Sequence, residues 1–412
     1  MTLDPIRIVK RIASRALRLT VDGRIFRALA PHSPPAEPGK RPQIAICSLI
    51  SNLGDTVMVF PLLDELRRHH PELEIHLFTS GAGRIVACHP AVDHLYVMDR
   101  GSIDRSRLYP ASSVFAILRW WRRELRSLRF DTIVVLRGGV DPFHSHHLAW
   151  LLGGRERIAY STTLEPERPE FQFHVSPLFT SEVTEMREVH EVNRGFEVLQ
   201  LAGLLETPID LKRTVESLVD LGQSPTAKHY RSTLGLLDRP YAVISPGASV
   251  PRRAWPAEQF AELARREFLP RGWLPVIVGG ADVSAAAETI SASFQGNALN
   301  LTGKTSFEQL AAICAGAKCF LGNDSGTAHL AGACGVPTLI ATAFARSGQP
   351  THHASPRRSH PLGPYVAVVQ PESQLAPCVS ECIAPEVHCI GQITVDEMQF
   401  ALRALLRDAG NP

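Results

Sequence analysis

Short apolar runs alternate with amphipathic stretches along most of the chain. Five runs predict strands in the first half, at residues 43–50, 74–79, 95–98, 132–136 and 157–160. Six more predict strands in the second half, at residues 241–245, 274–278, 298–301, 318–321, 338–341 and 366–369. Apolar residues at helical spacing separate these runs and recur in a final helix at residues 394–406. Regular alternation of strands and helices predicts an α/β protein with parallel sheets.

The alternation breaks once, in the polar stretch between Leu221 and Pro240. We therefore predict an N-terminal Rossmann-like domain over residues 43–230 and a C-terminal one over residues 231–412. The length of 412 residues, with 44% hydrophobic and 20% charged residues, is enough for two cores of ordinary size.

The first 42 residues differ from the rest and form a predicted tail and linker. Met1 to Arg41 contain nine Lys or Arg against three acidic residues, and the stretch after Arg27 is rich in proline. A basic amphipathic helix over residues 1–27 on the inner face of the inner membrane would have this pattern. A solvated tail, or a helix docked on its own domain, would have it too.

Charge and hydropathy limit the location and the partners of the protein. The formal net charge is only +2, which argues against nucleic acid as a partner. No apolar run reaches the ~18 residues of a membrane-spanning helix, and the charged start lacks the apolar core of a signal peptide. We expect a cytoplasmic protein, with the basic tail as its candidate contact with the membrane surface.

Two strand-turn-helix junctions carry the candidate chemistry. The first has a turn with Gly54 and Asp55, followed by a helix from Thr56; the second has the turn Asn-Asp-Ser-Gly before a small-residue helix. Such junctions place helix N–H groups beyond the carboxyl end of a strand, where open α/β sheets bind phosphate groups. Ordinary helix capping by Asp55, Asp324 or Ser325 would explain these turns without a ligand.

Five segments, in the same order as in the family, resemble glycosyltransferase family 9, which includes the ADP-heptose:lipopolysaccharide heptosyltransferases. They are NLGDTVMVFP from Asn52, HEVNRGFEVLQLAG from His190, SPGASVPRRAWPAEQFAELA from Ser245, VIVGGAD from Val276 and the long segment from Asn300 to Thr338. The resemblance spans roughly Gln43 to Leu406. It implies a GT-B fold, with two Rossmann-like domains facing a central cleft and the last helix packing back on the first domain.

The same resemblance implies an enzyme that moves a sugar, with inversion, from a nucleotide donor to an acceptor. By family precedent the donor is ADP-heptose and the acceptor is a lipopolysaccharide core or another envelope glycan. Asp55 matches the family's proposed general base, and Arg253 aligns with a basic residue that contacts the diphosphate. Gly54 and Asn52 are assigned positioning roles, although Asn52 stands where the family usually has a charged or hydroxyl residue.

Departure of a diphosphate requires fixed donors for its negative charge. Ser325, Gly326 and Thr327 offer hydroxyl and N–H groups, and Asp324 could accept from a sugar hydroxyl. His329 lies one helical turn after Ser325 and could donate to a phosphate oxygen, although a structural histidine would also fit there. One further candidate, Asp282, lies outside this segment. Its carboxylate could accept from a ribose hydroxyl of the donor, or it could be an ordinary surface acid in a turn.

No two aspartates stand two residues apart, so the metal-binding DxD pattern is absent, and we predict neither a catalytic metal nor a cofactor. Cys378, Cys382, His388 and Cys389 could form a tetrahedral structural metal site, although adjacent His388 and Cys389 do not easily reach one ion. The histidines at 144, 146 and 147 are interpreted as packed or solvated.

The alternative to an enzyme is a non-catalytic GT-B module that binds a nucleotide or sugar and acts as a scaffold for a partner. Asp55 discriminates the two interpretations, because a pure binder could retain its affinity for the donor without this carboxylate.

Overall fold

The computed structural model describes residues 22–37, 42–49, 52–99, 111–136, 144–164, 174–185, 187 and 190–410. The chain forms two compact units, which we call the first unit and the second unit. The first unit comprises Met1–Asn52 and Leu62–Ile209, and the second comprises Leu53–Pro61 and Asp210–Pro412. A short early segment of the chain therefore belongs to the second unit.

The first unit is built on a six-stranded sheet in which all neighbouring strands are parallel. Its strands are β1 (Gln43–Cys47), β2 (Glu74–Ser80), β3 (His94–Met98), β4 (Thr132–Val135), β5 (Glu156–Tyr160) and β6 (Ser181–Val183). Its helices are α1 (Gly23–Leu29), α3 (Phe60–His69), α4 (Ala111–Trp120), α5 (Ser145–Leu152) and α6 (Glu191–Leu201). The spatial order of the strands is β3-β2-β1-β4-β5-β6, which is the Rossmann order.

The second unit repeats this architecture. Its strands are β7 (Tyr241–Ser245), β8 (Leu274–Ile277), β9 (Leu299–Asn300), β10 (Phe320–Asn323), β11 (Thr338–Ala341) and β12 (Val366–Val369). Its helices are α2 (Leu53–Val57), α7 (Glu216–Gln223), α8 (Pro225–Thr233), α9 (Ala257–Glu267), α10 (Ser284–Ala292), α11 (Phe307–Ala315), α12 (Gly326–Ala333), α13 (Pro356–Ser359) and α14 (Val395–Asp408). The order β12-β11-β10-β7-β8-β9 is again the Rossmann order, and all its pairs are parallel.

The order of the second sheet decides where its loops meet. Strands β7 and β10 are hydrogen-bonded neighbours at the centre of the sheet. Strands β8 and β9 follow β7 on one side, and β11 and β12 follow β10 on the other. The loops that follow these two strands therefore lie side by side at the carboxyl edge of the sheet, at the topological switch point where α/β proteins bind ligands. These loops contain Arg253 and Ser325.

The observed boundary between the units differs from the predicted one at residue 230. Helices α7 and α8 both pack on α11 of the second unit. The Arg231 guanidinium, buried on α8, donates to the carbonyls of Gly222 and Ala312 at 2.7 Å each. Because this buried contact joins the two helices to the second unit, the second unit begins at Asp210, before them.

Residues 22–37, which include the end of the predicted helix and the described part of the predicted linker after Arg27, pack on the first unit. The Gly23 N–H donates to the His174 carbonyl at 2.7 Å, and the Ser33 N–H donates to the Leu151 carbonyl at 2.9 Å. Phe26 is buried, with its ring edge-on to His147. Residues 1–21, and with them most of the predicted membrane-binding helix over residues 1–27, lie outside the described residues.

The last helix, α14, packs on α9, β11 and β12 of its own unit and buries Met398, Leu402 and Leu406 in the core of that unit. The capping box of Thr394 and Glu397 begins this helix. Packing of α14 on the first domain remains a prediction. Among the helices of the described ranges, none has both the length and the apolar character needed to cross a membrane.

Candidate active site

The tips of α2 and α12 touch through two glycines. A Cβ atom built on Gly54 would lie 2.8 Å from the His329 Cδ2 atom, and one built on Gly326 would lie 2.8 Å from the Gly54 nitrogen and 2.7 Å from the Leu53 Cγ atom. These distances leave no room for a Cβ atom at either glycine, so the backbone of each helix tip packs closely on the other helix. This contact brings the segment with Asp55 against the segment with Ser325.

The first junction differs from the sequence-based prediction. Helix α2 begins at Leu53, so Gly54 and Asp55 are helical and Asp55 lies in the first turn rather than capping a helix that begins at Thr56. The helix ends at Val57, and α3 follows from Phe60 with Pro61 in its first turn, where proline fits. A carboxylate in the first turn interacts favourably with the positive end of the helix dipole. The Asp55 side chain lies half-buried at the tip of α2.

Ser325 occupies the N-cap position of α12, with extended backbone angles. Its side chain accepts no capping hydrogen bond, and within the described ranges its buried Oγ atom has no hydrogen-bond partner. A buried hydroxyl without a partner is costly in a folded protein. The tip of α12 therefore has a polar group and uncapped N–H groups available for an anion.

Asn323, at the end of β10, joins the loop after β7 to the loop after β10 and was missed by the sequence analysis. Its Oδ1 atom accepts from the Trp255 N–H at 2.9 Å, and its Nδ2 atom donates to the Pro246 carbonyl at 2.8 Å and the Gly247 carbonyl at 3.3 Å. The Asn323 side chain is fully buried. It thereby ties the loop after β7 to the end of β10. The only signal in the sequence was its position before the Asp-Ser-Gly turn, which does not distinguish a structural amide from a ligand.

Arg253 lies in the loop that Asn323 holds, in a 3-10 turn formed by Pro251–Arg253. Its N–H donates to the Val250 carbonyl at 3.0 Å. The guanidinium is close enough to Asp324 to affect that carboxyl electrostatically. The loop thus supplies a cation beside the tip of α12.

Three charged groups interact at this place. Burial raises the pKa of the Asp324 carboxyl from 3.8 to about 6; the Arg253 guanidinium opposes this shift, and the Asp55 carboxylate adds to it. Asp55, Arg253 and Asp324 therefore form one electrostatic group. Below about pH 6 the Asp324 carboxyl is protonated, and in that form it is neutral and can donate a hydrogen bond to a phosphate.

The remaining predicted residues lie around this group. His329 is buried on α12 with its ring against Gly54, and Thr327 is half-buried in the first turn of the same helix. Asp282 is exposed in the loop after β8, where the neighbouring Val283 contacts Gly247. Asn52 is exposed immediately before α2.

Potential metal ligands gather at two places in the described part of the chain, and neither includes a residue of this site. One is the group Glu74, His76 and His94, and the other is the cysteine-rich segment near residue 380. Of the two interpretations of His146 and His147, packed or solvated, the structure shows the packed one: both are buried, with their rings edge-on to Phe179 and Phe26.

Comparisons with known proteins give a consistent result. Residues 118–387 match the sequence model of glycosyltransferase family 9 (heptosyltransferase). The chain is 26% identical over 313 residues to lipopolysaccharide heptosyltransferase 1 of Pseudomonas aeruginosa, covering 70% of this chain and 75% of that protein. The family 9 glycosyltransferase of Veillonella parvula has a similar structure, with a TM-score of 0.67, 20% identity, and coverage of 90% of this chain and 99% of that one. The structure of the Escherichia coli heptosyltransferase WaaC with ADP has a TM-score of 0.64 at 18% identity, covering 88% and 99%.

Two Rossmann-type sheets of six parallel strands, each with loops meeting at a topological switch point, define an α/β protein of the GT-B fold. The predicted fold class is thus confirmed. The match over residues 118–387 makes the assignment specific: the chain belongs to glycosyltransferase family 9, and it is a glycosyltransferase.

The contact between α2 and α12 predicts the effect of Gly326→Ala. The new methyl group would meet Leu53 and the Gly54 nitrogen, and a backbone atom cannot move aside without displacing α2. We expect a loss of roughly 1–3 kcal/mol in the free energy of unfolding, measured by urea denaturation. Gly391→Ala is the control, because its Cβ would make an ordinary contact at 3.4 Å with the Val387 Cγ1 atom. Equal stability of the two variants would contradict the described contact.

The raised pKa of Asp324 predicts a pH dependence of stability. Between about pH 4 and 6 the folded protein keeps a proton that the unfolded chain has released, so the stabilisation by the protonated carboxyl is lost as pH rises through 6. Asp324→Asn should therefore be more stable than the unliganded wild type above pH 6, by roughly 1–3 kcal/mol, with the difference vanishing toward pH 4. Denaturant unfolding across this range checks it, with the exposed Asp220→Asn as control. A difference that does not change with pH would refute the assignment.

Proposed function

We propose that this glycosyltransferase moves a heptose from ADP-heptose to an acceptor of the lipopolysaccharide core, with inversion and with Asp55 as the general base. The observation that carries the proposal is the contact between the Asp55 helix and the uncapped tip of α12, through Gly54 and Gly326. The names of the relatives support the choice of sugar and acceptor, since the Pseudomonas aeruginosa relative is a lipopolysaccharide heptosyltransferase. The Escherichia coli structure with ADP supports the choice of nucleotide.

In this mechanism Asp55 takes the proton from the acceptor hydroxyl while the acceptor oxygen forms a bond to the anomeric carbon of the sugar. The bond from that carbon to the diphosphate oxygen breaks on the opposite face, and the electron pair leaves with the diphosphate. Opposite-face attack inverts the anomeric centre. The nucleoside diphosphate departs as an anion, and the transferred proton remains on Asp55.

Stabilisation of the departing diphosphate is the task of the second half of the site. The uncapped N–H groups of α12, the Ser325 hydroxyl and the Arg253 guanidinium are fixed donors of the kind that stabilise growing negative charge. Thr327 adds a second hydroxyl on the same turn. Asp324, in its protonated form, would donate rather than repel. Asp282, at the neighbouring loop, is the candidate for a ribose hydroxyl.

His329 and Gly54 are proposed to position rather than to react. The His329 ring fills the space beside the Gly54 backbone, so it sets the distance between the tip of α2 and α12. Asn52, exposed before α2, is proposed to orient the turn that enters this helix. The contact of residues 1–27 with the inner face of the inner membrane remains part of the proposal, because the acceptor of a lipopolysaccharide enzyme is itself membrane-bound.

Asp55→Asn is the decisive variant for the base. The amide keeps the size of the side chain but cannot accept the proton, so we expect a fall in turnover of about 100-fold or more. Binding of ADP, measured by calorimetry, should stay within a few-fold of the wild type. The exposed Asp220→Asn serves as control and should turn over normally. Near-normal turnover of Asp55→Asn would exclude Asp55 as the base, and absence of turnover in the wild type itself with ADP-heptose would favour another donor or a binding module.

Arg253→Ala tests the diphosphate contact. Loss of a charge-assisted hydrogen bond costs roughly 1.5–3 kcal/mol, so the affinity for ADP should fall about 10-fold or more, while the affinity for adenosine should not change. Arg265→Ala, at an exposed arginine on α9 paired with Glu262, is the control. Equal loss for ADP and adenosine would indicate a folding defect, and no loss for either would reject the contact with phosphate.

A further inference from the structure

The segment between β12 and α14, residues 370–394, has hardly any regular structure apart from a 3-10 turn at Cys389–Gln392. Four of its aliphatic side chains are exposed, by 40–88%: Leu375, Val379, Ile383 and Val387. The side chains that it buries include those of three cysteines. The segment also buries Ile390 and Ile393, so its contact with the core is made mainly around the cysteines and the 3-10 turn.

Cys378, Cys382, His388 and Cys389 converge on one point, and we call them the Cys3His cluster. The His388 Nδ1 atom lies 3.5 Å from the Cys378 sulfur, 3.8 Å from the Cys382 sulfur and 3.4 Å from the Cys389 sulfur. All four atoms lie within 4.8 Å of one another. In a tetrahedral zinc site, with Zn–S of about 2.3 Å and Zn–N of about 2.05 Å, the sulfur-to-nitrogen separation is roughly 3.6 Å. The observed distances agree with this geometry.

The adjacent residues His388 and Cys389 both reach this point, contrary to the reservation drawn from the sequence. His388 has φ −143° and ψ −96°, neither helical nor extended, and Cys389 begins the 3-10 turn. This backbone conformation turns both side chains toward the same centre. The spacing of Cys378 and Cys382, with three residues between them, falls within the range of structural zinc sites.

Packing of buried thiols does not by itself explain the convergence. A neutral imidazole nitrogen offers either one proton or one lone pair, so it can satisfy one of the three surrounding sulfurs by a hydrogen bond. All eight cysteines of the chain are free thiols in the structure, so no disulfide accounts for it. A metal ion bonded to three thiolates and one imidazole satisfies all four groups at once.

The segment that carries the cluster also contacts the loop that carries Arg253 of the candidate active site. The 3-10 turn at Cys389–Gln392 packs on the 3-10 turn at Pro251–Arg253. The Trp255 Nε1 atom donates to the Ile393 carbonyl at 2.9 Å, while the Trp255 N–H donates to Asn323. The conformation of the cysteine-rich segment is therefore coupled, through Trp255, to the loop that carries Arg253.

We propose that the Cys3His cluster binds one divalent transition metal ion, with Zn²⁺ the ion that suits the ligand set, and that the ion fixes the segment against the Arg253 loop. The role is structural, because all four coordination positions are occupied by protein ligands and none is left for a substrate. The inference is independent of the proposed sugar transfer.

The test is the metal content of the full chain, purified without chelators and without a polyhistidine tag. Mass spectrometry of the metals should find about one equivalent of zinc, or of another divalent transition metal, per chain. Cys382→Ala and Cys389→Ala should each hold less than about a tenth of an equivalent after dialysis. Cys319→Ala is the matched control, since Cys319 is buried in the same core but lies outside the cluster, and it should keep its metal.

Three further measurements keep the proposal testable if the cysteine variants do not fold. Blocking the thiols of the wild type with a mercurial should release one equivalent of metal to a chromogenic chelator, and Co²⁺ added to the chelator-treated protein should give the absorption bands of a tetrahedral thiolate complex. Removal of the metal should lower Tm by several degrees, and Zn²⁺ should restore it. A wild-type protein that holds no transition metal even after incubation with Zn²⁺, or a disulfide between cluster cysteines in the intact mass, would overturn the proposal.

Discussion

The backbone contact of α2 with α12 is the constraint on which the candidate active site depends. Gly54 and Gly326 leave no room for a Cβ atom, so the two helix tips lie in close contact. Asp55 and Ser325 are each one residue away from these glycines. Their separation is therefore set by this close packing, which would hold the proposed base and the proposed diphosphate-binding helix tip in place before any substrate arrives.

A second layer of contacts supports this arrangement. Asn323 joins the loops after β7 and β10, and Trp255 continues the connection to the segment that contains the Cys3His cluster. At the same place, desolvation and the neighbouring Asp55 carboxylate raise the pKa of Asp324, which predicts a lower stability of the unliganded protein above pH 6. A carboxyl group with a raised pKa, close to a hydroxyl that has no hydrogen-bond partner in the described residues, is typical of functional sites rather than of cores.

The strands were the part of the fold that the sequence predicted best. The predicted bounds of β7, β11 and β12 agree with the structure, because buried parallel strands are continuous apolar runs bounded by polar turns. Strand β6, at Ser181–Val183, was missed because it is a short, partly exposed edge strand with polar residues. The start of α2 was placed three residues too late, at Thr56 instead of Leu53, because Gly-Asp favours a turn locally and the helix is stabilised by its contact with α12.

The sequence by itself determined the alternation of strands and helices, the two Rossmann-type sheets and the segments that identify the family, since apolar periodicity and motifs are local properties of the chain. Only the tertiary structure decided that Leu53–Pro61 belongs to the second unit, that Asn323 is the link between loops, and that His388 and Cys389 meet the other two cysteines at one point. These features depend on contacts between residues far apart in sequence, or on a backbone conformation outside helix and strand. Neither leaves a periodic pattern in the sequence, and both arise only when the sheets, helices and loops have packed.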